Sequence, residues 1–367
     1  LENSPVQIVR EAVTRISSLK NGCFEIETDT GSMAQTGKLI VTTGTFLNGK
    51  LHTGNNRLIG GRYNCQSSVG LTDLLSEVET LNKRFKTGTP PRLSKRSISF
   101  DQMIEQESDG NTLNFHWQSD PFGRELDQVS CYITHTNPDT LKIIRDNRER
   151  SPLYNGQISA IGPRYCPSIE DKAFRYPDRD RHHVFVEPEG LHTDSIYPNG
   201  ISTSLPTDVQ EDFLRTIPGL ENCEVLIPGY AVEYDVVNTS KLNSTLEYSD
   251  IPGLYFAGQV NGTSGYEEAA GQGFVAGVNA ALSLEGDSQL VLDRYESYIG
   301  VMIDDLVTSQ RDEPYRLFTA RSENRLYLRE DNAILRMIPY RKMLGLELPL
   351  DRFLQSVRMQ HQLLEKL

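Results

Sequence analysis

The first 90 residues alternate short apolar runs with turns. Residues 6–13 (VQIVREAV) and 38–47 (KLIVTTGTFL) are apolar and β-branched, which predicts strands. The second run ends in Thr43-Gly44-Thr45, where a strand hands the chain to a tight turn. Gly44, Gly49, Gly54, Gly60 and Gly61 crowd the stretch around it. Glycine there permits positive φ or close approach of backbone to a ligand. Residues 70–81 (GLTDLLSEVETL) carry the spacing of an amphipathic helix. KTGTPPRL (86–93) breaks the pattern, and its two prolines predict a rigid, extended crossing between domains.

Beyond a polar stretch (95–130), residues 131–137, 182–190 and 197–206 read as strands, with an Asn199-Gly200 turn. Residues 225–237 (VLIPGYAVEYDVV) read as a strand pair. LYFAG (254–258) is a buried-type strand that enters a Gly-rich loop, and a helix is expected from Glu267. That helix carries Ala269, Ala270, Gly271, Gly273, Ala276 and Gly277, small enough to lie against another backbone or a flat cofactor. From about residue 300 the chain reads helical, and 321–333 (RSENRLYLREDNA) reads as a salt-bridged helix. Phe353, Val357, Leu364 and Leu367 continue at helical spacing without a cap, and the chain starts at Leu1 without Met. A fragment of a longer protein is expected.

Composition narrows the class. The chain is 37% hydrophobic and 24% charged, which is globular. Its net charge of −13 excludes a uniformly basic nucleic-acid coat but permits a local basic groove. No run reaches the roughly 20 apolar residues of a membrane span. The five cysteines are scattered, without a CxxC pair, so neither a disulfide framework nor a zinc site is expected, and a reducing cytoplasmic setting fits.

A strand, a Gly-rich loop and a small-residue helix suit a phosphate or pyrophosphate, although tight α/β packing alone needs the same residues. GQGFVA (271–276) matches a dinucleotide fingerprint by letter but falls inside the helix. Any true fingerprint would lie upstream of Leu1. The strands ending TTGTF and FAGQ, roughly 200 residues apart, then read as parts of one split domain. In GPRYCPSIED (162–171), Arg164 favours a thiolate at Cys166 and two prolines frame it, while a packing cysteine explains the same letters. Cys65 and Cys131 are weaker candidates of the same kind. His135 is a candidate acid/base group, and 175–183 (RYPDRDRHH) reads by default as a solvated charged loop.

GTFLNGKLHTG, KTGTPPRL, CYITHTN, GPRYCPSIEDK, YPNGISTSLP, PGYAVEYD, FAGQVNGTSGYEEAAGQG and EPYRLFTAR occur in that order. Together they resemble the MnmG (GidA) family of FAD-dependent tRNA uridine 5-carboxymethylaminomethyl modification enzymes, over essentially the whole chain. The resemblance implies an α/β fold: an FAD-binding Rossmann-like domain interrupted by an inserted mixed α/β domain, followed by a helical C-terminal region. Residues 1–91 and 243–298 would form the flavin domain, 92–242 the inserted NADH-binding-type domain, and 299–367 the start of the helical domain.

It further implies FAD, NADH and methylenetetrahydrofolate as cofactors and co-substrates. The implied partners are the GTPase MnmE, tRNA and a second copy in a homodimer, with no membrane. By the same resemblance Val13, Ser68 and Gln259 fall on flavin-contacting positions. Gly162, Pro163, Arg164, Tyr165, Cys166, Pro167, Ser168, Ile169, Glu170, Asp171, Lys172, Ala173, Phe174, Arg175 and Tyr176 fall on the family's NAD-binding segment. Cys166 falls on a catalytic cysteine, and Arg92, Arg164 and Arg175 are candidate phosphate contacts.

Tyr63 departs from the family's GGRAG-like stretch. Without the upstream fingerprint, this chain alone is expected to hold FAD weakly. Besides an ordinary FAD oxidoreductase of a small molecule, which would turn over substrate without RNA, two alternatives stand beside this reading. One is a folate- and FAD-dependent methyltransferase of T-loop uridine, against which the helical run after residue 300 argues. The other is a non-catalytic tRNA- or GTPase-binding relative, against which the intact GPRYCPSIEDK and FAGQ segments argue.

Overall fold

A computed structural model describes residues 5–68, 73–108, 127–164, 167–309 and 312–346. The chain opens with a meander of β1 (Val13–Ser18), β2 (Phe24–Thr28) and β3 (Met33–Thr36), then β4 (Leu39–Val41). The hairpin β5 (Lys50–Thr53) and β6 (Asn56–Ile59) precedes α1 (Asp73–Glu77) and β7 (Phe85–Thr89). Next come β8 (Arg92–Ser94), β9 (Ile104–Gln106), β10 (Cys131–His135), α2 (Pro138–Asp146) and α3 (Ile169–Arg175). β11 (His183–Pro188), β12 (Ser195–Asn199), α4 (Thr207–Leu214), β13 (Val225–Ile227) and β14 (Tyr230–Tyr234) follow. β15 (Leu254–Phe256), α5 (Tyr266–Glu285), α6 (Tyr298–Thr308), α7 (Ala333–Arg336) and α8 (Ile338–Met343) complete the described elements.

Among the described residues, three of the four sheets are antiparallel, ordered β1-β2-β3, β6-β5-β14-β7 and β13-β8-β12-β11-β10-β9. The fourth is the parallel pair β15-β4, which joins segments more than 200 residues apart, with Leu39 opposite Leu254 and Val41 opposite Phe256. Pro90-Pro91 carries the chain from β7 in the four-stranded sheet to β8 in the six-stranded one. Neither proline can donate to a ladder, so both strands stop there.

One core joins Phe24, Tyr255, Phe256, Val275 and Met302 beneath the parallel pair, α5 and α6. A second joins Leu141, Ile144, Ile169, Val184, Val186 and Phe213 between the six-stranded sheet and α2, α3 and α4. Each such side chain stabilises the fold by about 1.5–3 kcal/mol on burial. α5 approaches α6 closely because Gly271 lies against it; a Cβ there would meet Ile299 Cγ1 and Met302 Cε at 3.4 Å.

Some expectations shift. The strand expected over 6–13 begins at Val13, where the ladder to β2 starts with Val13 opposite Thr28. The helix expected over 70–81 runs only from Asp73 to Glu77 among the described residues, and a bridge from Thr80 to Val237 follows it. Residues 225–237 hold two strands, but they enter different sheets: β13 pairs with β8, and β14 with β5 and β7. Between Arg321 and Ala333, where α7 begins, the chain forms turns rather than a helix. Arg294 captures Glu323, and Arg329 bonds Asp331 only two residues away, a spacing that a helix face does not offer. The terminal helix read from Phe353, Val357, Leu364 and Leu367 lies outside the described residues.

Candidate functional site

The first candidate site is built on the parallel pair. Ala257 N donates to Val41 O (3.2 Å), so both strands run out on the same side. Each then turns on a left-handed glycine, Gly44 at φ 56° and Gly258 at φ 88°. Ligands of α/β folds sit off such carboxyl ends of parallel strands. A cleft of about 800 Å³ opens there, walled by residues of 9–16, 39–46 and 65–68. Its size suits a cofactor. Thr43 lines it, and the buried Thr43 Oγ1 has no hydrogen-bond partner. A buried hydroxyl left unbonded costs about 1–3 kcal/mol, so a polar ligand atom has a place waiting beside it.

The loop after Gly258 is fastened from below. Gln272, fully buried, accepts from Gly258 N (3.2 Å) and Asn261 Nδ2 (2.8 Å). Its Nε2 donates to Thr263 Oγ1 (3.0 Å) and Glu268 O (3.1 Å). Glu268, 2% exposed, accepts from Arg316 Nε (3.0 Å) and Leu317 N (2.9 Å). Gly265, at the start of α5, has to be glycine, because a Cβ would fall inside the Glu268 carboxylate.

Val13 and Ser68 meet in the cleft wall. Val41 and Ser68 also line a neighbouring 290 Å³ cavity that reaches Phe256. Gln259 is not among the cleft-lining residues; its Nε2 donates to Tyr234 Oη (3.0 Å), behind the glycine turn. Burial first, and the Gln259 bond against it, leave the Tyr234 phenol well above its usual range. Tyr63 stacks on Tyr230 (6.4 Å, 26°), and its N–H donates to Tyr230 Oη. Cys65 is exposed and lines the same cleft.

The segment 162–176 starts over β7. Lys86 N donates to Ile161 O (2.9 Å), and the Lys86 stem passes under Gly162, where a Cβ would clash. Tyr165 and Cys166 lie outside the described residues. Arg164 reaches Glu313 at 4.0 Å. Ser168 caps α3 by accepting from Asp171 N (3.1 Å).

Ile169, Glu170 and Ala173 are buried in the second core, and Glu170 accepts from Ser204 N (2.9 Å). Phe174 packs edge-on against Tyr154 (4.7 Å), whose hydroxyl donates to Asp171, and Arg175 pairs with Asp171 (3.2 Å). Pro167, Lys172 and Tyr176 instead face a second cavity, of about 650 Å³. Arg92 is engaged with Glu189 and lies over the Tyr197 ring (4.5 Å).

His135 faces His183 across the β10–β11 ladder, ring centroids 4.5 Å apart, and both line the second cavity. Burial, and then the charges of His183 and Arg181, hold His135 below its ordinary pKa. The Cys131 thiol is raised by burial and by Glu187, and Cys223 is pushed up to about 11 by burial, so both are poor nucleophiles at neutral pH. Arg179, Arg181 and His182 also line this cavity. Sequence reasoning passed over them as a solvated loop; the available signal was Arg-x-Arg-His-His running directly into a strand. Among the described residues no group of His, Cys, Asp and Glu could hold a metal ion, and no helix is long and apolar enough to cross a membrane.

A family model described as glucose inhibited division protein A matches residues 1–288. A tRNA uridine 5-carboxymethylaminomethyl modification enzyme MnmG from Aquifex aeolicus is 51% identical over 344 residues, covering 92% of this chain and 56% of that protein. The enzyme of the same name from Protochlamydia amoebophila is 52% identical over 308 residues, covering 84% of this chain and 49% of its own length. The chain thus spans about half the length of the curated relatives it matches. The form I crystal structure of Aquifex aeolicus GidA superposes with a TM-score of 0.84 at 50% identity, over 95% of this chain and 59% of that one. Sequence motifs, family model and fold agree: the chain belongs to the glucose inhibited division protein A (GidA, MnmG) family.

Proposed function

We propose that this chain is the flavin- and substrate-bearing part of a tRNA wobble-uridine modification enzyme. It would install a (carboxymethyl)aminomethyl group at uracil carbon 5, with FAD, NADH and methylenetetrahydrofolate, in the cytoplasm. The GTPase MnmE would be its partner and a homodimer its working form. The observation that carries the reading is the parallel pair. It brings two glycine turns from distant segments side by side, and a cofactor-sized cleft with an unbonded buried hydroxyl opens off the β4 member of the pair. That arrangement fits residues 1–91 and 243–298 as one flavin domain with 92–242 inserted.

The cleft residues suit a flavin. Val13 and Ser68 would flank it, and Thr43 would bond a polar edge. Gln259 would meet it from behind the glycine turn, where its Nε2 is bonded to Tyr234 Oη. A bound flavin supplies the redox chemistry. Along 162–176, Lys172 and Tyr176, which line the second cavity, would meet NADH, while Ile169, Glu170 and Ala173 hold the segment on the core.

Cys166 is proposed as the nucleophile. Its thiolate would add to carbon 6 of the uracil, forming the S–C6 bond and leaving an electron pair at carbon 5 for the one-carbon unit. Loss of the carbon 5 proton and return of the C6–S pair to sulfur would release the product. A wobble base lies in a single-stranded loop, where it splays out at modest unstacking cost.

Mass spectrometry of tRNA nucleosides tests both claims. Cells lacking the full-length gene should lose the carbon-5 aminomethyl-type uridine, and the wild-type gene should restore it. Cys166→Ser should fail to restore it while the protein still accumulates. Full restoration by Cys166→Ser removes the nucleophile. A missing T-loop methyl with intact wobble uridine moves the chain to the methyltransferase reading.

A further inference from the structure

We infer that Gln157 and His52 act together as positioning residues for the wobble-uridine chemistry, by latching the chain that runs into Gly162 onto the four-stranded sheet. The inference rests on the reading of 162–176 as the cofactor and nucleophile segment.

The latch begins in strand periodicity. Side chains two apart on a strand share a face. Ala231 pairs with His52 and Glu233 with Lys50, so His52 on β5 and Glu233 on β14 are diagonal neighbours on one face. His52 is 1% exposed, and its Nε2 lies 3.5 Å from Glu233 Oε1. On the other side of the ring, Nδ1 is 3.0 Å from Gln157 Nε2. The same Gln157 nitrogen donates to Gly54 O (3.3 Å) at the turn between β5 and β6. A reversed amide would set two oxygens against each other there, so His52 Nδ1 is the acceptor and the ring proton sits on Nε2, toward Glu233.

Glu233 is itself held. Arg84 Nη1 donates to Glu233 Oε1 (3.0 Å) and Arg84 Nη2 to Glu233 O (3.1 Å), while Arg84 Nε pairs with Asp235 Oδ1 (2.9 Å). A polar chain thus runs from Asp235 through Arg84, Glu233 and His52 to Gln157. An apolar side chain would fill the place of His52 without the cost of burying an imidazole. What the imidazole adds is a single orientation for the groups it bonds.

The second observation lies in the backbone and is independent of the ring. Ile161 N donates to Arg84 O (3.0 Å) and Lys86 N to Ile161 O (2.9 Å), which lays residue 161 beside Phe85 as a parallel bridge. Arg84 therefore serves both holds: its side chain orients Glu233 and its carbonyl receives Ile161. Residues 157 and 161 are two fixed points on the approach, and Gly162 follows directly over the Lys86 stem.

Hydrogen exchange and steady-state kinetics on the full-length protein test this together. Gln157→Leu keeps the bulk and removes the amide. Exchange over 158–162 should rise about tenfold, the worth of one hydrogen bond, and should keep its parent value over 169–175. The kcat of tRNA modification should fall about tenfold or more with KM for tRNA unchanged, because misplacement acts on the chemical step. His52→Leu should do the same. His52→Asn, whose amide oxygen replaces Nδ1 as acceptor, should bring both readouts back near the parent. Should His52→Leu not fold, Gln157→Leu decides alone, since Gln157 is only half-buried.

Unchanged exchange in Gln157→Leu overturns the latch, and faster exchange at full kcat overturns its positioning role. Equal loss in His52→Asn and His52→Leu overturns the assigned acceptor. A parent protein that forms no modified wobble uridine overturns the reading of 162–176 instead, and the exchange result still decides the latch.

Discussion

The two cavities are similar in size, about 800 and 650 Å³, and are built in opposite ways. The cleft at the parallel pair is walled by the β1–β4 region and residues 65–68, within the fold's first core, beside a glycine loop pinned by the buried Gln272 and Glu268. The basic cavity is made by side chains of α3, an exposed loop and the ends of β10, β11 and β12. A site whose wall includes core strands is inseparable from the stability of its domain. A side-chain-built site can be emptied of charge while the fold stands.

Glu268→Ala should give the largest stability effect. It strips the partner from Arg316 Nε and Leu317 N at the start of α5. Breaking a buried pair costs about 3–5 kcal/mol; because the Arg316 side chain is 39% exposed, about 2–3 kcal/mol is expected. Arg179→Gln/Arg181→Gln should stay within about 0.5 kcal/mol of the parent. Urea midpoints at equal slope compare them, and equal shifts would break the contrast.

Thr43→Val sharpens the first half of it. The substitution keeps the shape and removes a buried hydroxyl that has no partner. Stability of the unliganded protein should hold or rise by up to about 1 kcal/mol. Flavin affinity, read by fluorescence quenching in the full-length protein, should fall about tenfold, the worth of one hydrogen bond. A clear loss of stability instead would mean that the hydroxyl serves the fold.

Legibility in the sequence followed the same division. The strand Leu254–Phe256 and the helix from Tyr266 were visible because buried apolar runs and small-residue stripes are local signals. The strand at Val13 and the separate sheets of β13 and β14 were not, because their partners, Thr28, Leu93 and His52, lie elsewhere in the chain. Val13 and Ser68 were placed by resemblance alone. Arg179 and Arg181 were hidden because they alternate with Asp178 and Asp180. The fold sorts that mixture in part: Arg179 and Arg181 line the basic cavity and Asp180 does not, while Asp180 and Arg181 share a different hollow of about 380 Å³.

The smallest expected effect is a pH slope confined to the side-chain-built site. His182 is held below its ordinary 6.5 by burial and then by Lys172, Arg179 and Arg145. His135 is lowered by burial and by His183 and Arg181. A depressed folded pKa means that above 6.5 both states are neutral and the full contribution is present. As pH falls below 6.5, the unfolded chain takes up protons that the folded chain refuses, and stability drops until the folded pKa is passed. The slope has a ceiling of about 1.4 kcal/mol per pH unit for each histidine. Glu189 and Glu233, whose folded pKa values lie below 4.5, keep their contribution throughout this window and lose it only at lower pH. Urea midpoints from about pH 7.5 to about pH 5.5 therefore isolate the histidines. His182→Gln should flatten the curve, and pyrophosphate should flatten it in the parent by making the protonated rings welcome. A slope unchanged by both would mean that the cavity's cations already have their counter-charge within the protein, and the contrast between the two sites would fail on its basic side.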